Sequence, residues 1–178
     1  MVEDDAEQTT HEGAVAESSV SSGTLVRHPL NDLDRLRAEL DDAVRIVQSG
    51  GNPSQDLLAP LLPYYTVAVE LVKSRSNSLL ARVLLRDDVR DVSRARDLVV
   101  ETSVGTKVSL LYETGTIENE TRERLIRAKN VRNDLVHEVD QRYTLATFES
   151  ERDFERELDA ALEAVHTLDE VYKRRHEL

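Results

Sequence analysis

Apolar residues in this chain recur every third or fourth position, the spacing of one face of an α-helix, and no segment alternates as a half-buried strand would. From Pro29, the positions Leu33, Leu36, Leu40, Ala43, Val44 and Val47 form one stripe, and Asn31 or Asp32 is placed to cap its start. Ser49-Gly50-Gly51-Asn52-Pro53 ends that helix. A second helix is expected from about Ser54 to Ser74, with Leu57, Leu58, Leu61, Leu62, Tyr65, Val69 and Val72 facing inward. Pro60 and Pro63 either lie in its first turns or push its start to Pro63, since proline lacks the amide donor a helix interior needs. The apolar stretch Leu79 to Leu85 either prolongs this helix or forms a separate turn.

Asp87 or Asp88 can cap a third helix, expected to run to Tyr112 through Val89, Val92, Leu98, Val99, Val108 and Leu111, with Gly105 inside it. Glu113-Thr114-Gly115-Thr116 is a stop. A fourth helix starts at Glu118 or Asn119, passes through Leu125, Ile126, Val131 and Leu135, and ends between His137 and Gln141. A loop through Arg142 and Tyr143 to Thr147 leads to the most regular helix, Glu149 to Arg174, whose apolar face is Phe154, Leu158, Ala161, Leu162, Val165, Leu168 and Tyr172. Lys173, Arg174 and Arg175 stand where the helix dipole favours cations. The pattern predicts an all-α protein, an up-down bundle of four to five helices. Residues 1–24, rich in Glu, Asp, Ser, Thr and Gly, read as a disordered acidic tail, and residues 25–178 as the helical domain.

Composition narrows the chemistry. Aromatics are only 4% of 178 residues and Trp is absent, so the core is expected to be built from Leu, Val, Ile and Ala. The formal net charge is -12, from 35 acidic against 23 basic side chains. Of the cations only Lys73, Lys107, Lys129 and Lys173 are lysine. Acidic load, scarce lysine and no cysteine together suggest a halophilic protein of a salt-rich cytoplasm. Without cysteine there is no disulfide, thiolate metal site or cysteine nucleophile. No histidine–carboxylate cluster suggests a metal, and no Gly-rich phosphate loop suggests a nucleotide cofactor, so none is expected. No apolar run reaches the roughly 20 residues that span a bilayer, and the acidic start lacks the order of a signal peptide. A cytoplasmic protein with no membrane partner is the expectation.

Against this acidic background, residues 121 to 133 carry Arg122, Arg124, Arg127, Lys129 and Arg132 with a single acid, Glu123. The segment runs into Arg132-Asn133-Asp134-Leu135-Val136-His137. Arginine neutralises phosphate charge, and histidine moves protons near neutral pH, which is the chemistry of RNA cleavage without a metal. The same cations also suit a salt-bridged helix face, because Glu118, Glu120, Asp134, Glu138 and Asp140 flank them. Arg124, Arg127 and Lys129 are the candidate RNA phosphate-binding residues. Residues five apart on a straight helix are about 140° apart in azimuth, so Arg132 and His137 converge only if the helix ends or bends, or if a second chain contributes.

A helical bundle with Arg-Asn-x3-His near the end of its penultimate helix resembles the HEPN family. The family's mark is an arginine, four to six residues, then histidine, with a polar residue directly after the arginine; Arg132, Asn133 and His137 fit it. The resemblance implies a homodimer whose two motifs face one cleft. It also implies a metal-independent endoribonuclease with Arg132 and His137 catalytic and Asn133 orienting them. In that family such enzymes are often toxins or defence effectors, with a cognate antitoxin or nucleotidyltransferase as partner and RNA as substrate. Other members have lost the nuclease and bind a nucleotide, RNA or a partner protein, and that alternative stands beside the first. So does a helical interaction protein in which the Arg-x4-His spacing is coincidental. This sequence departs from the pattern at Glu138, where a small residue commonly follows the histidine. It departs again at Val139, where members silenced on a tyrosine carry that tyrosine; the nearest here is Tyr143.

Overall fold

The computed structural model describes residues 29–50, 57–84, 90–137 and 151–176. Among these residues there are six helices and no strand: α1 (Pro29–Gln48), α2 (Leu58–Leu84), α3 (Val92–Glu101), α4 (Val104–Glu113), α5 (Asn119–His137) and α6 (Glu151–His176). The expected tail at 1–24, the caps Asp87 and Asp88, and the loop at 142–147 lie outside the described residues.

Two expectations are resolved and one is corrected. Helix α2 is continuous over 27 residues, so Leu79 and Leu80 prolong it rather than form a separate turn. Pro60 and Pro63 sit in its first two turns, and the Leu61 amide still reaches the Leu57 carbonyl at 3.1 Å. The single third helix is in fact two, which brings the helices among the described residues to six. The break falls at Thr102–Ser103, before Gly105. Both residues are extended there, and their hydroxyls take over backbone partners. Thr102 Oγ1 donates to the Leu98 carbonyl at 2.7 Å, and Ser103 Oγ accepts from the Thr106 amide at 3.2 Å as the N-cap of α4. Asp91 caps α3 in the same way, accepting from the Arg94 amide at 2.9 Å.

The four long helices alternate in direction. Helix α1 runs antiparallel to α6, as the contacts Arg37–Asp159 and Asp34–His166 show, and α5 runs antiparallel to α6 through Arg124–Glu163 and Arg127–Glu157. Helices α2 and α6 run parallel, since Tyr64 meets Leu158 and Arg75 meets Asp169. Helix α2 is the hub and packs against every other helix. That explains why its apolar residues spread around its circumference: Leu61, Tyr64, Tyr65, Ala68, Leu71, Val72, Leu79 and Leu80 are all buried. One apolar cluster joins them to Leu33, Leu36 and Leu40 of α1, Val108 and Leu111 of α4, Leu125 and Leu135 of α5, and Phe154, Leu158 and Leu168 of α6. Each buried leucine contributes about 1.5–3 kcal/mol relative to exposure. Tyr64 and Tyr65 pack edge to face at 5.2 Å, and the Tyr64 hydroxyl donates to the Leu158 carbonyl at 2.6 Å.

Helix α3 has no buried residue; only Val99 leans on the core. Lys107 of α4 tethers its end, with Nζ donating to the Val100 carbonyl at 2.9 Å. Burial, with Lys73 nearby, holds the Lys107 ammonium below its ordinary pKa. Asp169 is buried between Arg75 Nε at 2.6 Å and Lys173 Nζ at 2.8 Å, and the Arg75 guanidinium lies 4.1 Å from the Tyr172 ring centre. Burial alone would raise the Asp169 pKa; the two cations outweigh it and hold the carboxyl below its ordinary value.

Candidate functional site

All the candidate residues lie on α5, a helix whose sequence is mostly polar and whose buried residues are only Leu125, Ala128 and Leu135. These three fix the inward direction, and helical spacing then assigns each cation its side. Arg132 falls close to the inward side and is half-buried, while His137, the last residue of the helix, points outward and is exposed. Arg132 Nη1 donates to Asn133 Oδ1 at 3.4 Å, a long contact that orients more than it binds. Among the described residues no hydrogen bond joins either of them to His137. Helix α5 stays helical through His137, so the divergence that helical geometry imposes persists within one protomer. Asn133 and His137, four apart, share a face, and Val136 beside them is also exposed.

The basic band does not form one surface. Arg122 lies over the Tyr112 ring at 5.4 Å and donates to Asn119 Oδ1 at 3.2 Å. Lys129 turns toward α4, its Nζ 3.8 Å from where a Cβ on Gly105 would sit. Arg124 and Arg127 instead face α6. Arg124 is held by Glu163 at 2.7 Å and by Glu120 at 2.5 Å, and Arg127 Nε by Glu157 at 2.5 Å. The three candidate phosphate-binding residues are therefore divided, Lys129 on one side of the helix and Arg124 with Arg127 on another.

Between α5 and α6, Arg124 and Arg127 open into a cleft of about 300 Å³. Arg156 of α6 and Tyr65 of α2 also line it, with Glu123, Glu157 and the small apolar residues Ala128, Val131, Ala160 and Ala161. Arg156 and Tyr65 are the residues the sequence reading missed. Nothing in the spacing of either marks it, because three helices must pack before they meet. Burial raises the Tyr65 pKa, reinforced by Glu157 and opposed by Arg127, so its hydroxyl keeps its proton as a donor. Among the described residues no group of three or more histidine or carboxylate side chains is placed to hold a metal, and no helix is long and apolar enough to cross a membrane. No family model, curated protein or solved structure matches this chain.

Proposed function

We propose that the chain is a metal-independent endoribonuclease of the HEPN type that acts as a homodimer. The observation that carries this reading is the display of the motif: Arg132 and Asn133 are in contact, and His137 stands exposed at the end of α5. In the proposed reaction His137 takes the proton of a ribose 2′-hydroxyl, and the 2′-oxygen attacks the adjacent phosphorus. The phosphorus–5′-oxygen bond breaks, and the partner's His137 protonates the leaving oxygen. Arg132 stabilises the extra negative charge. The products are a 2′,3′-cyclic phosphate and a 5′-hydroxyl, and DNA, lacking the 2′-hydroxyl, does not react. A second chain supplies what one lacks, because Arg132 and His137 of one protomer diverge. A toxin or defence role fits this activity, with an antitoxin or nucleotidyltransferase as its control.

One observation favours a second reading, a non-catalytic HEPN-like module that binds RNA, a nucleotide or a protein. The same divergence leaves each protomer without an assembled catalytic pair. The two readings separate on incubation with tRNA and total RNA in potassium salt with EDTA, beside His137→Ala. Cleavage by wild type alone, leaving cyclic-phosphate ends, supports the enzyme. RNA bound but uncut by a confirmed dimer supports the module.

A further inference from the structure

The cleft between α5 and α6 carries arginine donors that its ion pairs leave uncommitted. Arg124 spends both terminal nitrogens on Glu163 and Glu120. Arg127 pairs with Glu157 through Nε, and both of its terminal nitrogens remain; its side chain is 64% exposed. Arg156 pairs with Asp153 through Nη2 at 2.9 Å, leaving Nε and Nη1, and is 73% exposed. Tyr65 is 1% exposed and lines the same cleft, yet among the described residues its hydroxyl makes no hydrogen bond, although the neighbouring Tyr64 hydroxyl has one.

The carboxylates of the cleft are already occupied. Glu157 is held by Arg127, and Glu123 accepts from Asn119 Nδ2 at 2.8 Å. Three arginines against two glutamates leave the lining at +1 within a chain of -12. Exposed ion pairs such as Arg156–Asp153 contribute little, about 0–1 kcal/mol, so exchanging one for a phosphate oxygen costs little. Guanidinium matches phosphate with paired N–H donors.

We propose that this cleft is a phosphate subsite for single-stranded RNA, in which Arg127 and Arg156 hold one phosphodiester from opposite walls and the Tyr65 hydroxyl donates from the buried side. The proposal rests on the RNA reading above and names where the strand is held, on residues other than the Arg-x4-His motif. Arg124 and Lys129 are not part of the subsite.

The test measures binding of a short fluorescent single-stranded RNA by anisotropy across a range of potassium chloride, with His137→Ala as the uncut parent. Into it go Arg127→Gln, Arg156→Gln, Tyr65→Phe and, as an internal control, Arg45→Gln of α1, which is 72% exposed and outside the cleft, each checked for folding by circular dichroism. Loss of Arg127 or Arg156 is expected to weaken binding about tenfold at low salt. Each loss also lowers the slope of log affinity against log salt by about 0.7. Tyr65→Phe keeps the ring and weakens binding by a smaller factor, and Arg45→Gln leaves the slope unchanged. Addition of inorganic phosphate competes with the parent and less with Arg127→Gln. Affinity and slope unchanged in both Arg127→Gln and Arg156→Gln, with RNA still bound, overturn the subsite and leave the RNA reading standing. Absence of RNA binding by the parent at every salt concentration overturns both.

Discussion

Two arginine arrangements in this molecule use the same groups to opposite ends. Arg75 meets Asp169 where the carboxylate is buried, with Lys173 and the Tyr172 ring completing its surroundings. Arg127 and Arg156 meet Glu157 and Asp153 at the edge of a cleft open to water. In the first case Asp169 and most of Arg75 are enclosed by α2 and α6 while Lys173 reaches water, so removing Arg75 leaves a buried carboxylate with one partner. In the second, Arg156 and Asp153 both reach water, so that pair is exchangeable, whereas Glu157 beside Arg127 is itself only 14% exposed. Burial, and not the presence of an ion pair, separates an arginine that holds the fold from one available to a ligand.

The sharpest contrast comes from removing one partner on each side. Arg75→Met is expected to cost about 3 kcal/mol in urea unfolding, because Asp169 stays buried with only Lys173. Arg156→Gln is expected to change stability by less than about 0.5 kcal/mol, because both Arg156 and Asp153 reach water. Equal costs at the two sites would dissolve the distinction.

Acid sharpens it further. The Asp169 carboxyl is held below its ordinary pKa in the folded protein, so its contribution is present above the unfolded value and lost as pH falls through the folded one. Wild-type stability is therefore expected to fall below the ordinary carboxylate range, and Asp169→Asn, already weaker at neutral pH, to show a flatter acid limb in pH-dependent unfolding. An identical acid limb in the two proteins would remove Asp169 from the account.

His137→Ala belongs to the open side. It is expected to lower RNA cleavage by at least about 10²-fold, while stability moves by less than about 0.5 kcal/mol. The smallest effect is local. Amides of α3, which buries no residue, are expected to exchange hydrogen faster than those in the middle of α2 by mass-resolved exchange. Lys107→Met is expected to speed α3 further, because the Val100 carbonyl loses its donor. Equal protection of α2 and α3 would contradict the packing described.

Much of the fold was legible because one-sided apolar spacing is a local property. The stripe of α1 from Leu33 to Val44 and that of α6 from Phe154 to Leu168 are the buried faces of the structure. The break between α3 and α4 was not expected, because Thr102 and Ser103 act through hydroxyl bonds that composition does not reveal. Of the candidate site, the spacing of Arg132, Asn133 and His137 is written in the sequence, and so is their divergence on a straight helix. The ion-pair partners of Arg124 and Arg127, Glu163 and Glu157, lie on α6, distant in the chain, so the division of the basic band emerges only when α5 docks against it. The meeting of Tyr65 with Arg127 and Arg156 is likewise a product of packing.

The account turns on whether the exposed end of α5 cuts RNA. The most direct measurement incubates the wild-type protein and His137→Ala with total RNA in potassium chloride and EDTA, and analyses the new ends. The account predicts 2′,3′-cyclic phosphate and 5′-hydroxyl ends from wild type only. Intact RNA across the salt range, or cleavage that persists in His137→Ala, would contradict it.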